Sequence, residues 1–270
     1  MVDDNDTIAQ SGNPALIVEG AVAHLVLNAP ERRNALTLAA WARIPELVSR
    51  IGQSPGIRAC IVKGMAGHGF CAGADISEFR DVRATPDAAK HYDAVNVEAF
   101  RALKTLPVPV IAAIEGACLG GGLGLALACD IRIAARSAFF SIPAARLGLA
   151  YPPEALGDLL QAISPSRAKM LLFTGNKLSG EQALDYGLID ELVPDEALDR
   201  RIESLCERIC ANAPLSLKAS KHALNALADL SGSNAREEAE RNAEICIDSA
   251  DYAEGCKAFL EKRAPVFKGG

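Results

Sequence analysis

The feature that most constrains this chain is a run of three glycines, Gly120, Gly121 and Gly122, between an apolar strand and an apolar helix. The strand is predicted over residues 108–114, and residues 123–128 after the glycines are apolar on every side. A helix that is apolar all round is buried. Glycines let the backbone approach a ligand closely, and a helix N-terminus presents unpaired N–H groups at the positive end of its dipole. The sequence therefore predicts an anion site at the start of a buried helix.

Three kinds of anion suit such a site: a phosphate, a dinucleotide pyrophosphate, or an oxyanion that forms during a reaction. A P-loop is excluded because no Gly-Lys-Ser/Thr sequence follows the glycines. The dinucleotide pattern GxGxxG fails because Leu125 and Leu127 stand where a third glycine or small residue is needed, and no acidic residue lies at the ribose-binding distance. A transient oxyanion is the favoured interpretation.

The order of predicted elements indicates an α/β fold. Two short β-rich runs, 15–18 and 22–27, predict a hairpin, and residues 57–62 predict a strand that leads into a loop, 64–73, with four glycines. Thr37 can cap a helix that runs to about Ile51, and Ser179 with Gln182 forms a capping box. Further helices are predicted over 86–106, 154–163 and 166–173, further strands over 131–134, 139–142 and 188–193, and only helices from Asp195 onward.

Composition excludes several classes of function. The chain has 270 residues, half of them apolar, and a net charge of −6 with 5% aromatics, so neither a basic surface nor a base-stacking platform for nucleic acid is expected. Its eight cysteines include no CxxC pair, and no metal site is expected. The acidic N-terminus lacks an apolar core and no apolar run is long enough for a membrane span, so we expect a cytoplasmic protein without membrane contact. The expected organisation is a flexible segment 1–13, an α/β core 14–195 and a helical region 196–270.

Several motifs together resemble one family, the crotonase superfamily of enoyl-CoA hydratases and isomerases. They occur in the family's order over nearly the whole chain, which makes the resemblance specific. The matching segments are NAL at 34–36, FCAGADI at 70–76, PVIAAIEG at 109–116, the glycine triplet through Cys129 and Asp130, and positions within 171–175, 183–189 and 254–267.

The resemblance implies a spiral of ββα repeats, followed by helices that build a homotrimer or a dimer of trimers. It implies an acyl-CoA thioester as substrate and partner, with coenzyme A entering as part of the substrate and no permanently bound cofactor. The amides of Ala74 and Gly121 would hold the thioester oxygen. Residues along the CoA path would be Arg33, Ala35, Ala72, Asp75 and Ile76, together with Ala74 and Gly121. The side chains of Asp75 and Asp130 are interpreted as structural.

The sequence departs from the family at its usual acid–base positions. Hydratases of the family carry two glutamates, at the positions that Gly124 and Ala144 occupy here. Since acids and bases decide the reaction, Glu154, the nearest carboxylate that could substitute for them, is the predicted proton carrier, and its alternative role is a charge in the first turn of a helix. Tyr151 could hydrogen-bond the substrate or only pack.

The predicted function is an acyl-CoA enzyme of the enoyl-CoA hydratase/isomerase class that stabilises a thioester enolate. Decarboxylation or a double-bond shift is the alternative among enzymes, because either can run with fewer acid–base groups, and Arg146 could pair with a substrate carboxylate or lie on the surface. An acyl-CoA-binding protein without catalysis is the alternative outside enzymes. A hydrolase is disfavoured because the chain has no GxSxG sequence.

Overall fold

The computed structural model describes residues 12–228, 241 and 244–269. Residues 1–11, the larger part of the predicted flexible N-terminal segment, lie outside this range, as do 229–240, 242, 243 and 270 in the predicted helical region. Among the described residues there are nine strands: β1 Ala15–Glu19, β2 Val22–Leu27, β3 Ala59–Gly64, β4 Val110–Ile114, β5 Ala117–Leu119, β6 Ile131–Ala135, β7 Phe139–Ser141, β8 Leu178–Ser179 and β9 Glu191–Val193.

Helices occupy most of the rest of the chain. The α-helices whose bounds are described are α1 Leu38–Gln53, α2 Phe79–Val82, α3 Pro86–Thr105, α4 Gly121–Leu127, α5 Pro153–Ala162, α6 Pro165–Thr174, α7 Gly180–Tyr186, α8 Leu198–Cys210, α9 Pro214–Ala228 and α10 Ala250–Glu261. Short 3₁₀ segments are Pro30–Arg32, Ile76–Glu78, Pro143–Leu147 and Asp195–Ala197.

The strands form two sheets that the chain visits in turn. The larger sheet has the order β1-β2-β3-β4-β6-β9, antiparallel between β1 and β2 and parallel elsewhere, and the smaller has the order β5-β7-β8. The chain leaves the larger sheet at β4, adds β5 to the smaller one, forms α4 and returns at β6. It then repeats the path through β7 and α5. This is the spiral of ββα units that the sequence predicted.

Strand β4 shows why the middle of the larger sheet is apolar throughout. Ile111 and Ala113 face α8, where Leu198, Ile202, Cys206 and Ile209 form a second core. The alternate residues of β4 face the main core, which α1, α3 and α4 complete. Side chains of successive strand residues point to opposite faces, so a strand covered on both sides must be apolar at every position.

Helix α4 is the centre of the main core and begins at the middle glycine. All its residues except Gly121 are buried, as its composition predicted. It starts two residues before the predicted helix, because tertiary contact overrides the poor helix propensity of glycine. A Cβ on Gly122 would lie 2.4 Å from the Cys71 carbonyl oxygen, so only glycine fits there.

Local predictions were correct where side chains cap the elements. The Thr37 hydroxyl accepts from Ala40 N, and Ser179 and Gln182 form both bonds of the capping box, with Gly187 closing α7 at φ 83°. Strand pairing begins at Val110 and not at 108, since Pro109 has no N–H to donate. The strand predicted over 188–193 is observed only over Glu191–Val193. Leu188 still belongs to the turn that ends α7, because its N–H donates to Ala183 O.

We predict opposite effects for alanine at two glycines. Gly122→Ala should lower the free energy of unfolding by about 3 kcal/mol or more, because the new methyl group meets rigid backbone. Gly157→Ala, at an exposed position of α5, should raise it by about 0.5–1 kcal/mol, since a Cβ there meets nothing within 4 Å. Urea unfolding of both variants measures this. Equal losses at the two positions would contradict the tight contact at Gly122.

Candidate functional site

The candidate site begins with the loop segment 71–75, which lies between strand β5 on one side and Leu36 on the other. Cys71 N donates to Ala117 O, and Leu119 N donates to Cys71 O, so Cys71 extends the smaller sheet beside β5. On the other side, Leu36 N donates to Gly73 O and Asp75 N donates to Leu36 O. This bridge uses the Gly73 carbonyl and the Asp75 amide, which flank Ala74. The Ala74 amide itself makes no hydrogen bond in the pairing.

Two glycine conformations bring the Ala74 amide to the start of α4. Gly73 has φ 95°, and a Cβ on it would lie 2.7 Å from Leu119 O. Gly120 has φ 48° and ψ −119°, which turns the chain sharply into α4. L-residues with a side chain rarely adopt either conformation. Both glycines are therefore required by the backbone path.

The amides of Ala74 and Gly121 lie next to each other. A Cβ on Gly73 would be 3.3 Å from Gly121 N, and a Cβ on Gly121 would be 3.9 Å from Ala74 N. Both residues are partly exposed, and neither amide has a hydrogen-bond acceptor within the described part of the chain. Gly121 N is the first amide of α4 and can have no partner inside that helix. Two adjacent, accessible donors at a helix N-terminus can bind one oxyanion.

An aromatic wall borders these amides. The Trp41 ring is so close to Gly121 that a Cβ there would lie 2.9 Å from its Cζ2 atom, and Trp41 packs edge-on against Phe100 with ring centroids 5.8 Å apart. The sequence interpretation missed both rings. Helical periodicity identifies them as buried positions of α1 and α3, but nothing local indicates that Trp41 lies against Gly121 and Phe100 against Gly124.

The two positions where the resemblance leads us to expect glutamates, Gly124 and Ala144, differ in their surroundings. A Cβ on Gly124 would lie 2.6 Å from Phe100 Cζ and 3.0 Å from Tyr151 Oη, so these two rings occupy the space of any side chain there. Ala144 lies partly buried in the Pro143–Leu147 turn. Neither position offers a carboxylate.

The predicted proton carrier, Glu154, is exposed in the first turn of α5. No hydrogen bond or ion pair joins it to any residue that the structure describes. Its position at a helix N-terminus is favourable for a negative charge. The structure thus brings Ala74 and Gly121 together but gives Glu154 no contact with them. Tyr151, three residues earlier, does reach the triplet, where its hydroxyl donates to Gly120 O at 3.0 Å.

The residues predicted along the CoA path belong to two neighbouring loops. Ala72 N donates to Arg33 O at 3.0 Å, which joins the loops near the Ala74 amide. Arg33 is exposed at φ 53°, Ala35 is buried, and Ile76 exposes 59% of its surface although it is apolar. These loops therefore present one cation and one apolar side chain to solvent beside the paired amides.

Asp75 and Asp130 are bound within the fold. The Asp75 carboxylate accepts three hydrogen bonds: from the Ser77 hydroxyl at 2.6 Å, from Ser77 N at 3.0 Å and from the Arg32 guanidinium at 3.0 Å. The Ser77 hydroxyl contributes most to lowering the pKa of Asp75, and the Ser77 amide and Arg32 add to it. Asp130 accepts from Val110 N at 2.7 Å and pairs with Lys221 at 2.8 Å. Both carboxylates hold segments in place, as their structural interpretation requires.

Other candidate groups near the site have structural partners. Burial raises the pKa of the Cys71 thiol to about 12, so it is not a thiolate nucleophile. Arg146 donates to Thr174 O and to the Asn176 side chain. Among the described residues, no three His, Cys, Asp or Glu side chains are grouped to hold a metal ion. No described helix combines the length and apolarity that crossing a membrane requires.

The two-sheet spiral with its trailing helices matches solved structures of the crotonase superfamily. A family model for enoyl-CoA hydratase/isomerase matches residues 18–270. The chain belongs to this enoyl-CoA hydratase/isomerase family.

Individual relatives agree with this assignment. The chain is 37% identical to a 1,2-epoxyphenylacetyl-CoA isomerase of Escherichia coli, over 93% of this chain and 97% of the relative. It is 32% identical to a crotonyl-CoA hydratase of Syntrophomonas wolfei, over 94% and 97%. A crystal structure of an enoyl-CoA hydratase/isomerase family protein from Hyphomonas neptunium is 38% identical and superposes with a TM-score of 0.90, over 96% of this chain and 99% of that one. The predicted family and fold are confirmed.

Proposed function

We propose that this chain processes acyl-CoA thioesters by holding the thioester carbonyl oxygen between the amides of Ala74 and Gly121. The observation that carries the proposal is that these two amides are adjacent, partly exposed and without an acceptor. When negative charge moves onto the oxygen in an enolate, each such donor contributes about 3–4 kcal/mol. The names of the Escherichia coli and Syntrophomonas wolfei relatives both specify CoA thioesters.

Coenzyme A enters this site as part of the substrate, and no permanently bound cofactor is required. Its path follows the two loops that carry Arg33, Ala35, Ala72 and Ile76. The exposed Arg33 guanidinium suits the phosphates, and the exposed Ile76 side chain suits the less polar parts of the ligand. Asp75 contributes by holding its loop against Arg32 rather than by touching the ligand.

The reaction class follows from which acid–base groups are present. Hydration needs a base that activates water, and the two usual carboxylate positions are Gly124 and Ala144. Decarboxylation needs no base, because loss of CO₂ itself produces the enolate that the amides stabilise. A double-bond shift needs a single proton carrier. Gly124, whose side-chain space Phe100 and Tyr151 fill, favours these reactions over hydration.

A panel of three thioesters tests the function. Crotonyl-CoA, a 3-enoyl-CoA and methylmalonyl-CoA are offered to the purified protein, and products are identified by mass. We expect turnover of the 3-enoyl or the methylmalonyl thioester, with water addition to crotonyl-CoA the slowest reaction. Rapid hydration would show that other groups replace the two carboxylates. Binding of all three without turnover would support an acyl-CoA-binding protein instead.

Glu154 is proposed as the proton carrier, since it follows Ala144 in the loop-to-helix stretch at the start of α5 and has no hydrogen bond or ion pair to any described residue. Glu154→Gln should then lower kcat by about 10²-fold or more, the usual contribution of a general acid or base, with KM little changed. Glu203→Gln on the exposed face of α8 is the matched control. If Glu154→Gln keeps the wild-type kcat, Glu154 is not a proton carrier and serves only as a charge at the end of a helix.

We also propose that the helical region 196–270 assembles the chain into a trimer or a dimer of trimers. Large apolar side chains of this region are exposed in the single chain: Leu224 by 68%, Leu227 by 64%, Phe259 by 84% and Leu260 by 80%. Such surface is normally covered in an interface. Light scattering should give three or six times the chain mass of 28.4 kDa. A mass of one chain at micromolar concentration would contradict this assembly.

A further inference from the structure

The peptide group between Gly120 and Gly121 has an acceptor on one side and the proposed catalytic donor on the other. In a trans peptide the C=O and N–H point in opposite directions, and none of the described peptides is cis. The N–H belongs to Gly121, and the C=O belongs to Gly120. Whatever orients or polarises this carbonyl therefore acts on the Gly121 donor.

Two hydrogen bonds hold the Gly120 carbonyl. Gly124 N donates to it at 3.1 Å, as the first turn of α4 requires, and the Tyr151 hydroxyl donates at 3.0 Å. The peptide has a glycine on each side, so no Cβ restricts its rotation. Its orientation must depend on these bonds. A donor to the carbonyl also polarises the peptide and strengthens its N–H as a donor, by roughly 10–30% per bond.

Glycine at residue 124 leaves the space beside this hydrogen bond open. A Cβ at that position would lie 3.0 Å from the Tyr151 hydroxyl oxygen and 2.6 Å from Phe100 Cζ. Any side chain at 124 would therefore crowd both the Phe100 ring and the Tyr151 hydroxyl.

The Tyr151 phenol remains protonated and so remains a donor. Burial raises its pKa well above the usual range, and the nearby Cys118 and Asp158 act in the same direction. A phenolate beside the Gly120 carbonyl would be repelled by the carbonyl oxygen. The hydroxyl therefore has one stable arrangement, with its proton directed at Gly120 O.

We propose that Tyr151 is a positioning residue of the oxyanion site: its hydroxyl orients and polarises the peptide whose N–H, on Gly121, binds the thioester oxygen. This inference rests on the proposed function, because it gives Tyr151 a role only if Gly121 N binds that oxygen.

The test uses acetyl-CoA labelled with ¹³C at the thioester carbonyl, bound to the intact protein. In the wild type, hydrogen bonds from the site should move the carbonyl resonance downfield on binding. Tyr151→Phe should lose roughly 10–30% of that shift, in line with the polarisation one bond supplies. With a substrate that turns over, kcat should fall about tenfold, less than the ~10²–10³-fold cost of removing a donor. A residue that only packs would leave the carbonyl shift unchanged.

The control is Tyr186→Phe on α7, which removes a phenol hydroxyl from a ring that packs against Arg167 of α6. A second variant, Gly124→Ala, places a methyl group against the Tyr151 hydroxyl and should reduce the shift in the same way. A full wild-type shift in either Tyr151→Phe or Gly124→Ala overturns the inference. Absence of any shift when the wild type binds acetyl-CoA would instead overturn the proposed oxyanion site, so the two failures are distinguishable.

Discussion

At the start of α4, two stretches of backbone lie against each other with no side chain between them, and the rest of the site depends on this contact. The Cys71 carbonyl lies so close to Gly122 that a Cβ would be 2.4 Å away, and Leu119 N bonds the same carbonyl. The contact fixes the loop that carries Ala74 against the helix that begins at Gly121. A methyl group at Gly73 or Gly122 would force the two backbones apart.

Three aromatic side chains, Trp41, Phe100 and Tyr151, surround this contact. Trp41 lies against Gly121, and Phe100 lies against Gly124 and packs edge-on against Trp41, so the two rings form an apolar wall beside the start of α4. A low-dielectric wall strengthens any hydrogen bond made to a developing oxyanion. Beside the wall, the Tyr151 hydroxyl donates to Gly120 O. The proposed oxyanion site is therefore bordered by packed rings, while the proposed proton carrier, Glu154, lies outside the two positions where the family resemblance leads us to expect glutamates.

Much of the fold was predictable because its signals are local. Thr37, the Ser179 capping box and Gly187 set helix ends through bonds within a few residues, and the structure has them as predicted. The strands β5 and β8, of three and two residues, were not separately predicted. Segments so short carry no alternation of apolar and polar residues, and they are strands only because partners from distant parts of the chain pair with them. The start of α4 at Gly121 likewise depends on contacts that glycine propensity does not encode.

The sequence alone determined the family, the spiral of ββα units and the two glycine segments, since each rests on residue types whose backbone freedom or apolarity permits few alternatives. It also named Ala74 and Gly121, through their motif positions. Only the tertiary structure decided what surrounds them: Trp41 against Gly121, Phe100 against Gly124, Tyr151 bonded to Gly120 O, and Glu154 exposed on α5. Residues 41, 100, 120 and 151 are far apart in the chain, and their contacts follow from how α1, α3 and α5 pack around α4, which no local pattern records.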